Sequence, residues 1–330
     1  MDGFPDPPRA AATLGRRALV AAGAAALAAP RPAAAQSSFA IVGKDGWLFA
    51  VWDKITEDEP HQVKQATAVV TRAIGILRAA RIEVTVLVVP SKARTYRQFL
   101  PDGMQVAPGA DRRYAAYLND LRAAGALSPD LEAAFRARAA STPLFFKSDT
   151  HWTPMGAELA AVETAKVVGP ALPLSSRPGL QVSAPINRVS PRGDLVRNLP
   201  EAQRAAYPPE PYQVRDVVAP AGQNALLADD AAEVTIVGSS YMEPRYAFQP
   251  VFSNQIGRPV GLFWKPNSIG PFATLMQYLT SADFRQHRPK MLVWAQLELD
   301  MPAGPSSSGW GTNAMSPDKF LGDLRQAVAA

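Results

Sequence analysis

The stretch IEVTVLVVP, Ile82 to Pro90, decides the fold. Its β-branched and apolar residues run nearly unbroken, whereas a strand with one solvated face would alternate apolar and polar side chains. Just upstream, Gln62 to Ala80 carries apolar residues at helical spacing, among them Val69, Ile74 and Leu77. A helix leading into a strand buried on both faces predicts a parallel sheet covered by helices on either side.

The alternation continues outward from that pair. Helices are predicted over Arg112–Ala123, Pro129–Ala140, Pro154–Val168 and around Phe272–Leu279. Strands are predicted at Leu144–Phe146, Glu233–Val237, near Val260–Phe263 and at Lys290–Gln296. The result is a three-layer α/β/α domain with a mostly parallel sheet and ligands at the carboxyl ends of its strands. Near the start, Asp45-Gly46 between two apolar runs predicts a hairpin with a type I′ turn, its strands at Phe39–Val42 and Trp47–Val51. Gly169 to Asp230 is rich in Pro, Ser and Ala without sustained periodicity, and reads as an irregular insertion of about 170–230 or a flap. Residues 303–316, AGPSSSGWGTNAMS, read as a mobile loop before a closing helix.

Residues 1–35 read as an export signal rather than as part of the fold. Arg16-Arg17 precede an apolar stretch from Ala18 to Ala29, then Pro30, Pro32 and Ala33-Ala34-Ala35, which predicts cleavage near Ala35 and a periplasmic protein. The paired arginines favour the twin-arginine route over Sec. An uncleaved anchor is the alternative, but the apolar stretch has about twelve residues where a spanning helix needs about 20. Residues 36–330 then form a single folded domain.

The chain has 330 residues, 47% hydrophobic, and a formal charge of +5 that falls to +3 once the four arginines and two aspartates of residues 1–35 are removed. No run of Lys and Arg stands out, so nucleic acid is not expected as a partner. The absence of cysteine excludes thiol catalysis, disulfides and thiolate-bound zinc. No nucleotide or coenzyme A motif is present, and no cofactor is expected.

In KSDTHWTPMG, Lys147 to Gly156, Asp149 and His151 lie two residues apart, where the apolar run LFF gives way to a helix start at Thr153-Pro154. A carboxylate so placed can fix an imidazole tautomer and leave the other ring nitrogen for a hydroxyl. A hydrogen-bonded loop is the competing reading. Metal binding is disfavoured because His61 and His287 sit in unrelated polar contexts and no H-x-H or H-x-x-E-H spacing occurs. The run VTIV ends in Gly238-Ser239-Ser240-Tyr241, where a glycine turn would lift a serine above the sheet edge. Ser240 is the first candidate nucleophile and Ser239 the second.

Several segments in order resemble the SGNH-hydrolase-like polysaccharide O-acetyltransferases related to the alginate O-acetylation proteins AlgJ and AlgX. They are GKDGWLF (Gly43–Phe49), VVPSKARTYRQFLP (Val88–Pro101), SDTHWTPMGA (Ser148–Ala157), RGDL (Arg192–Leu195), VGSSYMEPR (Val237–Arg245), IGPF with MQYL (Ile269–Leu279) and PKMLVWAQLELDM (Pro289–Met301). The resemblance implies an SGNH-like, flavodoxin-like fold with circularly permuted motif order. It implies Ser240 as nucleophile, His151 as base and Asp149 as its orienting partner. Two departures touch the substrate side: Trp294-Ala295-Gln296 replaces the family's Trp-Glu with a following arginine, and Asn267-Ser268-Ile269 replaces a glycine-rich pair. With little chain after Met301, a catalytic-domain-only member without a carbohydrate-binding module is implied.

On this basis the expected activity is acetyl transfer through an acetyl-serine to hydroxyls of an exopolysaccharide, with a membrane-bound acyltransferase as the donor partner. Tyr241, Arg245, Tyr246 and Trp152 are candidate sugar-contacting walls, and Asn267 and Gly270 candidate helpers at the oxyanion. A carbohydrate acetyl esterase and a non-catalytic scaffold of a polysaccharide export complex are the alternatives.

Overall fold

The computed structural model describes residues 39–218 and 232–329, so the expected export signal lies outside the described residues. From the amino end come strands β1 (Ala40–Val42) and β2 (Leu48–Ala50), helix α1 (Pro60–Ala79), strand β3 (Glu83–Val89) and helices α2 (Lys92–Thr95), α3 (Pro108–Ala123), α4 (Leu131–Arg138) and α5 (Pro154–Val168). Next come β4 (Gln181–Val182), β5 (Ile186–Val189), α6 (Glu201–Arg204), β6 (Pro211–Val214) and β7 (Val217–Val218). The last part holds β8 (Val234–Gly238), α7 (Phe248–Ile256), β9 (Val260–Trp264), α8 (Pro271–Leu279), α9 (Ala282–Gln286), β10 (Met291–Leu297) and α10 (Pro317–Ala329).

The central sheet has four strands in the order β3-β10-β8-β9, and every pairing is parallel. Side chains alternate between its two faces, as the strand period of two requires. Leu87, Val89, Ile236, Val293 and Leu297 pack with Phe135 of α4, Ala157 of α5 and Phe252 of α7. Val84, Val86, Val237, Leu292 and Trp294 pack on the other face with Ile74 of α1, Leu118 of α3, Leu275 of α8 and Phe320 of α10. Both faces are therefore apolar and covered, which is why IEVTVLVV reads as a continuous apolar run. The three-layer α/β/α arrangement with a parallel sheet follows the sequence expectation.

The amino-terminal hairpin also forms, antiparallel, with Ala40 opposite Ala50 and Val42 opposite Leu48. Trp47 N donates to Lys44 O at 2.9 Å across Asp45 (φ 52°) and Gly46 (φ 78°), the two positive angles that a type I′ turn needs.

Three expectations change. Leu144–Phe146 is not a sheet strand; among the described residues its only ladder contact is an isolated bridge from Phe145 to Trp152. Burial alone satisfies the triplet's side chains; its backbone makes the two bonds of that bridge, Thr153 N to Leu144 O at 2.9 Å and Phe146 N to His151 O at 3.4 Å, and Leu144 N donates to Tyr96 Oη at 2.9 Å. The insertion is not wholly irregular. It holds two small antiparallel sheets, β4 with β7 and β5 with β6, whose strands are short and largely exposed and so show no apolar period. The segment before α10 contains a short 3-10 helix, Ser308–Asn313, with Trp310 buried.

Candidate functional site

Strand β8 ends at Gly238, and Ser239 caps the short 3-10 helix Ser240–Met242 that follows. Gly238 keeps φ outside the left-handed region, so its role is not the turn expected from sequence. A Cβ there would come within 2.8 Å of both Ala295 Cβ and Met242 Cγ, so the glycine is needed for close packing against β10. Ser239 is buried and its Oγ accepts from Tyr241 N, while Ser240 is half-buried with Oγ 2.9 Å from His151 Nε2. The structure thus pairs Ser240, and not Ser239, with the imidazole.

The loop between α4 and α5 carries the other partners. His151 Nδ1 lies 2.6 Å from Asp149 Oδ1, and the same oxygen accepts from His151 N at 2.9 Å. Burial works to raise the Asp149 carboxyl, but the hydrogen bond and charge interaction with His151 prevail and hold it at about 2. The imidazole packs against Tyr241 at 4.9 Å and stacks on Tyr246 at 5.4 Å between ring centroids. Thr153 Oγ1 accepts from Gly156 N at 3.1 Å and caps α5, which fixes where the loop ends.

Three further residues hold this loop, and sequence reasoning assigned them no role. Asp194 accepts from Thr150 N at 2.8 Å and Thr150 Oγ1 at 2.6 Å, and its own N–H donates to Asp149 Oδ2 at 3.0 Å. Glu210 accepts from Lys147 N at 2.7 Å and Ser148 N at 2.9 Å. The buried Lys92 ammonium donates to Lys147 O at 2.8 Å and Asp149 O at 2.9 Å. The insertion therefore buttresses the Asp149–His151 loop from outside. The RGDL and SKAR segments marked two of these positions, but their partners lie tens of residues away in sequence.

Gly193 shows how tight the buttress is. A Cβ on it would meet Ser148 O at 2.0 Å and Asp149 N at 2.6 Å, both backbone atoms that must move. Gly193→Ala is expected to displace Asp149 and lower turnover of an acetyl ester about a hundredfold, since misplacement by about 1 Å costs on that order. Steady-state kinetics on the purified variant check this; a loss under threefold would show that the loop absorbs the methyl group.

Lys92 supplies a second check. Burial lowers its ammonium from 10.5 to about 7, against the opposing pull of Glu210, Asp149, Asp194 and Asp53. Between those two values the unfolded chain holds a proton that the folded one has released, so this group's contribution to stability rises with pH across that window. The stability difference between the parent and Lys92→Met should move in the parent's favour from pH 7 to about pH 10, by at most about 1.4 kcal/mol per pH unit. Denaturant unfolding at the two pH values reads it, and a constant difference contradicts the burial of the amine.

Ser240 and His151 open into a cavity of about 1300 Å³ that also touches Ser91 and Lys92 after β3, Asn267 after β9 and Glu298 to Asp300 after β10. The carboxyl ends of all four sheet strands thus meet at one cleft, as the fold class predicts. Tyr241 and Asn267 line it; Asn267 Nδ2 donates to Asp300 Oδ1 at 3.3 Å. The other candidate contacts lie elsewhere. Trp152 is fully buried with its indole N–H on Tyr241 O, so it is a core residue and not a sugar wall. Arg245, paired with Glu243 at 2.7 Å, and Tyr246 line a small separate pocket of about 40 Å³ on the Asp149 side. Gly270, at φ 82°, lies against the Trp310 ring, which a Cβ would approach to 2.6 Å. It makes room for that tryptophan and does not line the cavity.

Asp149, His151 and Asp194 offer ligand atoms within 4.8 Å of one another. Hydrogen bonds within the loop engage both carboxylates, so the donor set is organised around the imidazole and the backbone.

Residues 40–298 match the family described as "SGNH hydrolase-like domain, acetyltransferase AlgX". The chain is 28% identical over 273 residues to the probable alginate O-acetylase AlgJ of Pseudomonas syringae pv. tomato, covering 80% of this chain and 69% of that protein. It is 28% identical over 311 residues to the protein of the same name from Pseudomonas aeruginosa, covering 88% of this chain and 77% of that one. Among solved structures, the O-acetyltransferase domain of Pseudomonas putida AlgJ superposes with a TM-score of 0.72 at 25% identity, over 87% of this chain and 99% of that one. Pseudomonas aeruginosa AlgX shares the fold, with a TM-score of 0.59 at 20% identity over 80% of this chain and 66% of that one. With its site on the carboxyl edge of a parallel sheet and the family match running from β1 to the end of β10, this chain belongs to the SGNH hydrolase-like acetyltransferase family of AlgX.

Proposed function

We propose that the protein is an O-acetyltransferase that moves an acetyl group through Ser240 to a hydroxyl of an exopolysaccharide. The observation that carries this reading is the unbroken relay from Ser240 Oγ to His151 Nε2 at 2.9 Å and from His151 Nδ1 to Asp149 Oδ1 at 2.6 Å. A serine hydroxyl is a weak nucleophile until a base is in position to take its proton.

In the first half-reaction Ser240 Oγ attacks the acetyl carbonyl carbon while its proton passes to His151 Nε2. The donor's leaving oxygen or sulfur takes that proton as its bond to the acetyl carbon breaks. In the second half, a sugar hydroxyl gives its proton to Nε2 and attacks the acetyl-serine; the Ser240–acyl bond breaks and Oγ recovers the proton. The Asp149 carboxylate holds the tautomer throughout and stabilises the imidazolium. Backbone N–H groups beside Ser240, with the Asn267 amide, are the donors proposed for the tetrahedral oxyanion.

The relatives' names, which specify alginate, supply the substrate class as a polysaccharide. No nucleotide or coenzyme motif occurs in the chain, which supports a membrane-bound acyltransferase as acetyl donor. The arginine pair and apolar run of residues 1–35 support export to the periplasm; among the described residues no helix is long and apolar enough to cross a membrane.

Treating the protein with a serine-directed sulfonyl reagent and locating the adduct tests the central assignment. Modification at Ser240 is expected, and an intact Ser240 under conditions that label other serines rejects it. Incubation with an acetyl ester, with and without an oligosaccharide, separates transfer from hydrolysis: ester cleavage unaffected by sugar would mark an esterase.

A further inference from the structure

Asp194 lies in the insertion, on the turn between β5 and the short 3-10 helix Val196–Asn198. Leu195 and Val196, buried with Ala40 and Leu48, fix that turn to the amino-terminal hairpin. The Asp194 carboxylate is thereby brought to the Nδ1 edge of the imidazole, with Oδ2 3.7 Å from His151 Nδ1. Thr150 bridges the two: its hydroxyl donates to Asp194 Oδ2 at 2.6 Å and lies 3.2 Å from Nδ1.

A hydroxyl carries one proton, and this one goes to Asp194, so toward Nδ1 the Thr150 oxygen can only accept. Asp149, whose carboxyl is held at about 2, is an acceptor on the same edge. A serine relay needs one carboxylate there, and this ring has two.

We infer that Asp194 is a second carboxylate of the relay, a positioning residue that works through Thr150: it turns a Thr150 lone pair onto Nδ1–H and sets a negative charge beside the imidazolium formed when His151 takes the Ser240 proton. The inference rests on the serine–histidine reading of the site and adds a residue to it. The other groups around the ring have different partners. Tyr241 and Tyr246 pack against it, and the Tyr241 hydroxyl donates to Thr150 O at 2.5 Å. Arg245 lies 4.7 Å from the Tyr246 ring and is paired with Glu243, while Lys92 and Glu210 bond the loop backbone.

This role differs from Asp194's support of the loop in two ways. Its backbone N–H, which bonds Asp149 Oδ2, survives any change of its side chain. Removing a negative charge beside an imidazole also makes the ring release its proton more easily, which a slackened loop does not do.

Hydrolysis of a small acetyl ester measured against pH tests the assignment. In Asp194→Asn the acid limb of kcat/KM should move to lower pH by about one unit, with plateau kcat about tenfold lower. Thr150→Val should move both in the same direction by less, and Thr150→Ser should restore most of the loss. Because the two residues act in series, Thr150→Val with Asp194→Asn should lose little more than Asp194→Asn alone. An acid limb fixed in both single variants, losses that simply multiply, or a raised KM with kcat and the limb unmoved, the mark of a substrate contact, would each overturn the role. Should Asp194→Asn not fold, the Thr150 pair decides alone: valine and serine alike in limb and rate overturn it.

NMR titration of the His151 ring in Ser240→Ala, with and without Asp194→Asn, should show the same downward shift of about one unit without turnover. That shift beside a Ser240 that resists sulfonyl labelling would remove the reaction and leave Asp194 on the imidazole; a labelled Ser240 with an unmoved ring would do the reverse.

Discussion

Replacing Ser240 with alanine should abolish acetyl transfer, lowering the rate at least about 10⁴-fold, because loss of a nucleophile leaves only the contributions of oxyanion donors and binding. The effect should be chemical and not structural. Ser240 Oγ is half-buried and its described side-chain partner is His151 Nε2, so thermal unfolding of the variant should match the parent. Asp149→Asn should cost nearly as much, about 10⁴-fold, by presenting the wrong imidazole tautomer. Transfer assays with an acetyl donor and oligosaccharide, paired with melting curves, decide the matter. More than a tenth of parental activity in folded Ser240→Ala would sink the triad, and unchanged polymer acetylation in cells carrying it would favour a scaffold.

Glu298→Ala should cost about 3–5 kcal/mol of folding stability, the range for breaking a buried ion pair from one side. Glu298 is fully buried just past the end of β10. It accepts from Arg94 Nε at 2.8 Å, Arg94 Nη2 at 2.6 Å, Arg113 Nε at 3.3 Å and Ser91 N at 2.9 Å. Removing the carboxylate takes from Arg113 its described acidic partner, leaves Arg94 with Asp111 and the Ala110 carbonyl, and frees the segment after β3 from the end of β10. Because Ser91 and Lys92 form part of the cavity wall, activity should fall with stability. Glu298→Gln, which keeps an acceptor without the charge, should fall between. Urea unfolding gives the number, and a loss below about 1 kcal/mol would show that the guanidinium groups find water or other acceptors.

Much of this could be read in the sequence because the strands of the sheet are locally self-declaring. IEVTVLVV and MLVWAQL are buried on both faces, so their composition carries the signal without help from distant residues. Leu144–Phe146 misled for the opposite reason. Three apolar residues establish burial and leave open whether the backbone is laddered, and here it makes a single bridge to the Trp152 segment while the Tyr96 hydroxyl takes the Leu144 N–H. In the site, Asp149 and His151 were legible as a pair two residues apart, and Ser240 as one of two serines that follow a strand. Lys92, Asp194 and Glu210 were not, because each acts on the 147–150 backbone from a remote segment, and no local pattern encodes that contact. Trp152 was misread because its indole, beside the histidine in sequence, turns into the core.

The strand order carries a consequence for how the molecule is made. β10 comes last of the four sheet strands in the chain, yet it lies between β3 and β8 and, among the described residues, is β3's sole neighbour in that sheet. β3 therefore emerges from the ribosome roughly 200 residues before the strand that pairs with it, and waits with both edges open. A chain interrupted before Met291 keeps the β8–β9 pair but has nothing to join β3 to it. Synthesis through β10 is thus a precondition for the cleft, because only then can Ser91, Ser240 and Glu298 come to one place.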